Sequence, residues 1–154
     1  MYIVRKLKTT ELLLLTHLFN YKNVDEMIVE NTKEIENGVI DIFGLFDGDK
    51  IIGELRAKYI SDDKRFAEKN KRAYLYAFRI HQKHQGKGLG NFLLENVLES
   101  LEENGYSEFT VGVEDDNSIA RYMYEKHGFT ETIARIKESY QGDSYEYDLL
   151  LKRI

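Results

Sequence analysis

The chain has 154 residues, the length of one ordinary domain with a sizeable core, and a single domain over 1–154 is the expectation. With 42% hydrophobic and 32% charged residues it is not a disordered composition, and having no Cys it has no disulfide, thiolate metal site or Cys nucleophile. The balance of 22 basic against 27 acidic residues gives a net charge of −5, which argues against non-specific nucleic-acid binding and mildly favours cationic small partners.

Residues 2–7 read as a strand. Met1 to Lys8 alternates apolar and basic residues and lacks the apolar run and small-residue cleavage site of a signal peptide, so a cytoplasmic location is expected. Thr9 or Thr10 can cap a first helix whose apolar stripe is Leu12, Leu15 and Phe19 with Leu14 and Leu18. The uncharged stretch there, Leu12 to Tyr21, is ten residues, against the roughly 20 of a membrane span, so no membrane association is expected. A second helical pattern covers about residues 24 to 36 and stops at Asn37-Gly38. Two β-rich runs, Val39 to Phe46 and Lys50 to Tyr59, flank Asp47-Gly48-Asp49 as a hairpin.

Residues 60–72 are dense in charge and read as a solvated connection. Ala73 to His81 is an apolar and aromatic strand. Leu89, Leu93, Val97 and Leu101 then define a helix ending at Asn104-Gly105, Tyr106 to Val113 a strand, and Asn117 to His127-Gly128 a helix. That order predicts a βαβ crossover with parallel strands. Two last strands, about Thr132 to Tyr140 and Ser144 to Lys152, close the chain as a hairpin. The expected fold is α/β (α+β): a mixed, mostly antiparallel sheet of about seven strands, helices on both faces and a central parallel βαβ unit.

The chemistry-bearing stretch lies where the strand ending at His81 hands over to the next helix. Gln85-Gly86-Lys87-Gly88-Leu89-Gly90 offers glycines that turn sharply and approach a ligand closely, and the opening helix aims free N–H groups at the same point. This is an anion cradle suited to a diphosphate. A Walker A loop fails for want of Gly-Lys-Ser/Thr, and a dinucleotide fingerprint fails because Asn91 or Leu93 stands where its last Gly belongs. His81 and His84 lie three apart with no third metal ligand nearby, so no metal is assigned.

Here the chain resembles the GNAT superfamily of acetyl-CoA-dependent N-acetyltransferases, whose hallmark [QR]-x-x-G-x-[GA] is matched by Gln85, Gly88 and Gly90. A second family pattern, N-x-x-A-x-x-x-Y-x-x-x-G-F, is matched by Asn117, Ala120, Tyr124, Gly128 and Phe129. The likeness is strong over about residues 73 to 129. It departs where many members have Pro before the glycines and this chain has Gln82. The resemblance implies acetyl-CoA as co-substrate and an amine as acceptor. It also implies pantetheine contacts from Asn117 and from the backbone of Phe78 to Ile80, with the Tyr124 hydroxyl facing the sulfur. Asn117 and Tyr124 are seven residues apart on one helical face, about 10 Å, so they can serve two points of one extended ligand.

Direct attack requires a neutral amine, and alkylamines titrate at about pH 10.4. The candidates for a base are Glu54, Glu114 or water, both carboxylates reading first as solvated edge groups. A cationic acceptor would be drawn to an acidic entrance of Asp41, Glu54, Glu114, Asp115 and Asp116, set against Lys87 on the phosphate side. The rival reading is a CoA-binding regulatory module of the same fold without turnover. A homodimer is compatible with the sequence.

Overall fold

The computed structural model describes residues 1–154. Its elements are β1 (Tyr2–Lys6), a 3₁₀ helix (Thr9–His17), α1 (Val24–Glu36), β2 (Ile40–Asp47), β3 (Lys50–Lys58) and β4 (Arg72–Ile80). There follow a short 3₁₀ turn (Gln82–His84), α2 (Leu89–Glu103), β5 (Glu108–Glu114), α3 (Ser118–Lys126), β6 (Glu131–Tyr140) and β7 (Asp143–Arg153). The strands form one seven-stranded sheet in the order β1-β2-β3-β4-β5-β7-β6. All neighbours are antiparallel except β4 and β5, the two strands joined through α2.

Strand alternation divides the core between two faces. On β2, Phe43 and Leu45 enter the larger cluster, covered by Leu93, Leu94 and Val97 of α2 and by Tyr124 of α3. Ile40 and Ile42 point the other way and meet Leu12, Leu15 and Met27 from the first 3₁₀ helix and α1. Helices therefore cover both faces of a mixed sheet, as expected.

The helix after β1 departs from the expected stripe. Neither Thr9 nor Thr10 caps it; the Glu11 carboxylate accepts the Lys8 N–H at 2.8 Å and grips Arg5 at 2.9 and 2.7 Å. Leu12 and Leu15 carry its burial, at 1% and 0% exposure, and a spacing of three suits a helix with three residues per turn. Phe19 falls beyond its end and half-exposed. The charged 60–72 segment connects β3 to β4 without regular structure, yet it is anchored: Ala67 is fully buried, and the Thr110 hydroxyl donates to the Phe66 carbonyl at 2.6 Å.

One irregularity breaks the regularity of the sheet at its centre. The β4–β5 ladder runs only from Arg72↔Glu108 to Leu75↔Val111, although β4 continues to Ile80 and β5 to Glu114. Beyond Leu75, β4 follows β3, with Ile80 opposite Gly53, while β5 follows β7, with Glu114 opposite Tyr147. Ala77 sits at φ +52°, and the β3–β4 register slips between Glu54 and Arg56. This bulge turns β4 away from β5 and opens a wedge in the middle of the sheet.

Candidate active site

On the α2–α3 side of the wedge lies a cavity of about 480 Å³. Phe78 and Ile80 of β4, Gln85 and Gly90 of the loop and α2, and Asn117 and Tyr124 at α3 all line it. Six of the ten residues singled out from sequence are thus brought to one place. Gly86, Lys87 and Gly88 form the exposed turn just outside it, and Leu89 turns its side chain into the core at 5% exposure, leaving only its main chain to the loop.

The loop is shaped by its own polar groups. The Gln85 side-chain amide donates to the Ile80 carbonyl at 3.0 Å and folds the turn back onto the end of β4. Gly86 and Gly88 have φ of +80° and +74°, and an added Cβ would meet nothing within 4 Å, so conformation and not crowding calls for glycine. The main-chain N–H groups of residues 86–91 find no acceptor in the protein. They surround the N-terminus of the 15-residue helix α2, which has no side-chain cap, and the exposed Lys87 belongs to the same turn. Burial, and next the Lys87 charge, hold the nearby His84 imidazole below its usual pKa. The His81 ring accepts the Lys83 N–H at 3.2 Å, a role within the turn.

At the other end, Asn117 caps α3 by accepting the Ala120 N–H at 3.2 Å, which leaves its side-chain N–H groups for the cavity. The Tyr124 ring packs edge-on against Phe129 at 5.7 Å and near Phe78 at 6.4 Å. Only 8% of the residue is exposed, no protein group bonds its hydroxyl, and burial pushes its pKa up to about 12. It is a neutral donor at every physiological pH.

A second cavity, of about 580 Å³, opens on the opposite face of the sheet. Tyr74 and Tyr76 point into it from β4, between residues whose neighbours Ala73 and Leu75 fill the larger core. Tyr147 of β7 lies over Gly112, the first β5 residue past the ladder, where an added Cβ would come within 2.8 Å of its ring. Its hydroxyl donates to Glu138 at 2.7 Å. None of these residues stood out in the sequence; the period-two run Tyr74, Tyr76 against Ala73, Leu75 is the signal that could have marked this wall.

The carboxylates do not assemble into an acidic entrance. Glu54 is no solvated edge group: it is fully buried, paired with Arg56 at 3.1 Å and Arg79 at 2.9 Å. Arg79 in turn stacks on Phe19 at 4.3 Å. Asp41 lies level with Leu75, behind the opening of the wedge, held by the Tyr59 hydroxyl at 2.6 Å and Lys6 at 3.1 Å. Asp115 is gripped by both terminal nitrogens of Arg135 at 2.7 Å. Glu114 is exposed and borders neither cavity.

The family model for the acetyltransferase (GNAT) family matches residues 9–129. Among curated relatives, the ribosomal protein bS18-alanine N-acetyltransferase of Haemophilus influenzae is 32% identical over 91 residues, 59% of this chain and 56% of that protein. The mycothiol acetyltransferase of Corynebacterium efficiens is 32% identical over 90 residues, 58% of this chain and 28% of the relative. The aligned part thus spans little more than half, or less, of these relatives' own lengths. A mutant spermidine/spermine N-acetyltransferase of Vibrio cholerae superposes with a TM-score of 0.78 over 99% of this chain and 95% of its own, at 20% identity. A GNAT-family acetyltransferase of Streptococcus pneumoniae gives 0.73 over 100% of both chains at 18% identity; likeness at these identities speaks for the fold. With a family match across most of its length, and the wedge and glycine loop in one sheet, the chain belongs to the GNAT acetyltransferase family.

Proposed function

We propose that the protein is an N-acetyltransferase that moves the acetyl group of acetyl-CoA to a primary amine of a small molecule or peptide by direct attack. One observation carries the reading: the wedge between β4 and β5 has a cradle of free N–H groups at one end and the Tyr124 hydroxyl at the other. An extended ligand of a diphosphate, a thin polar arm and a thioester fits that sequence of environments. In this reading Gly86, Lys87, Gly88 and Gly90, with the main chain of Leu89, hold the diphosphate. The open flank of Phe78 to Ile80 pairs with the arm as an added strand, and Asn117 donates to it.

The acceptor approaches through the second cavity, on the other face, and brings its reacting nitrogen up to the wedge. It attacks the carbonyl carbon while a β4 main-chain N–H polarises the oxygen, and the C–S bond breaks with its electron pair on sulfur. Tyr124 donates its proton to that thiolate. Glu54, locked between two guanidinium groups, is no base for the acceptor, whose proton leaves through water in the second cavity. The activities of relatives, on spermidine and spermine or on the alanine of a ribosomal protein, share this amine chemistry and support the class of reaction.

The test uses the absence of Cys, because every thiol that appears must come from CoA. Acetyl-CoA with a panel of primary amines should release CoA. At 100 times its dissociation constant acetyl-CoA should add about 2.7 kcal/mol of stability, roughly 5–10 °C in Tm. Gly88→Glu should abolish that shift, and Lys87→Glu, which changes only an exposed side chain, should weaken it. A shift of unchanged size in both variants would remove the cradle from the proposal, and binding without CoA release with any amine would favour the regulatory module instead.

A further inference from the structure

An amine attacks a thioester only when neutral, while an alkylammonium ordinarily keeps its proton up to about pH 10.4. Carboxylates around a nitrogen hold that proton on more firmly. An anionic cage is therefore a poor seat for the nucleophile and a good one for a cation that never reacts.

The second cavity is such a cage. Phe66 meets Tyr74 edge-on at 5.0 Å, and Tyr74 stacks on Tyr76 at 5.5 Å, so rings from the 60–72 connection and from β4 form one continuous wall. Glu34 of α1, Asp62 of the connection and Glu138 of β6 bring carboxylates to it from three separate elements. Glu34 and Asp62 have no ion partner, and Glu138 accepts only the Tyr147 hydroxyl. Asp63 also borders the cavity but is gripped by Arg65 at 2.7 Å. Two basic groups share the space. Arg56 spends its donors on Glu54, Asn31 and Tyr21, and Lys58 stands without an ion partner. Free carboxylates outnumber the free ammonium.

We propose that the acceptor carries, besides the amine that is acetylated, a second cationic group seated on the Tyr74–Tyr76 wall among Glu34, Asp62 and Glu138. This rests on the acetyl-transfer reading above and adds the substrate class: a primary amine joined through an apolar spacer to a distant ammonium or guanidinium. The rings attract the cation through their faces and cover the spacer, while the carboxylates balance its charge. The reacting nitrogen forms the amide bond, the C–S bond breaks, sulfur leaves with the electron pair and receives a proton, and the distal cation keeps its own proton throughout.

The experiment compares a series of linear α,ω-diamines with the monoamine and the ω-amino acid of each length, at saturating acetyl-CoA and low salt, by thiol release. At least one diamine should exceed its monoamine in kcat/KM by roughly tenfold, through KM, and the amino acid should be poorest. Physiological salt should shrink the advantage. The double variant Glu138→Gln, Asp62→Asn should bring the diamine-to-monoamine ratio toward one. A series in which no diamine outperforms its monoamine, or in which an amino acid is best, overturns the proposal. Failure of the acetyl-transfer reading looks different, with no thiol released for any amine. Calorimetric titration of the same amines into CoA-bound protein then still decides: tighter binding of a diamine upholds the second-cation seat, and equal or absent binding overturns it.

Discussion

Tyr124 combines a buried ring with an unbonded hydroxyl, and its pKa, pushed up to about 12, keeps the phenol protonated. Tyr124→Phe should lower kcat by roughly 10- to 10⁴-fold and leave acetyl-CoA affinity nearly unchanged, read by thiol release and calorimetry. Because the phenol does not titrate below about pH 10, the variant should keep the shape of the pH–rate profile and lose only height. Its rising limb belongs to the acceptor amine. Glu54 shows where reading by residue type fails. An acidic residue on a strand looks solvated, and only Arg56 two positions on and Arg79 on the next strand make it a buried hub. Glu54→Gln removes the charge and keeps the shape, leaving two guanidinium groups uncompensated. A loss of about 3 kcal/mol in urea unfolding is expected. A stability within about 0.5 kcal/mol of the parent, the range of ordinary surface changes, would show the cluster to be energetically neutral.

Among the elements, those with local punctuation were legible. Asn37-Gly38 ends α1, Gly48 turns the β2–β3 hairpin, and Asn117 starts α3 as its sequence suggests. The glycine loop and the seven-residue register of Asn117 and Tyr124 meet at one cavity, and both were legible because they are short-range features of helix geometry. What escaped depends on partners far along the chain. The tight first helix is set by Arg5 gripping Glu11, the aromatic wall joins the 60–72 connection to β4, and the wedge follows from competing registers of β3 and β7. Ala77, at φ +52° in the middle of a strand, has no local signature at all. A side chain branched at Cβ is strained in that conformation, so Ala77→Val should cost about 1–3 kcal/mol and weaken acetyl-CoA binding. Ala77→Gly should be tolerated, with Tm changed little and binding retained. Equal behaviour of the two variants, in Tm and in ligand-induced shift, would mean that the bulge does not shape the wedge.

At the scale of the molecule, buried tyrosines tie stability to alkaline pH. Burial pushes Tyr74, Tyr76 and Tyr124 each up to about 12. Above pH 10, roughly the unperturbed value, an unfolded chain sheds these protons while the folded one holds them. The folded state then binds more protons, and stability must fall as pH rises between about 10 and 12. Denaturant midpoints from pH 8 to 11 should decline, and replacing Tyr74 and Tyr76 by Phe should flatten the decline; an unaltered slope would exclude these two as its source. The sheet itself is unfinished. Four ladder positions, Arg72 to Leu75, stitch a four-strand half to a three-strand half, and past them each half presents a raw main-chain margin to the other. An extended polyamide arm lying in that gap would act as an eighth strand, so the fold would complete its own hydrogen-bond lattice only with substrate in place. Those amide hydrogens of residues 76–80 that point into the gap, away from β3, should then exchange with solvent as freely as those of an outer edge until the arm arrives, and slow together when it does.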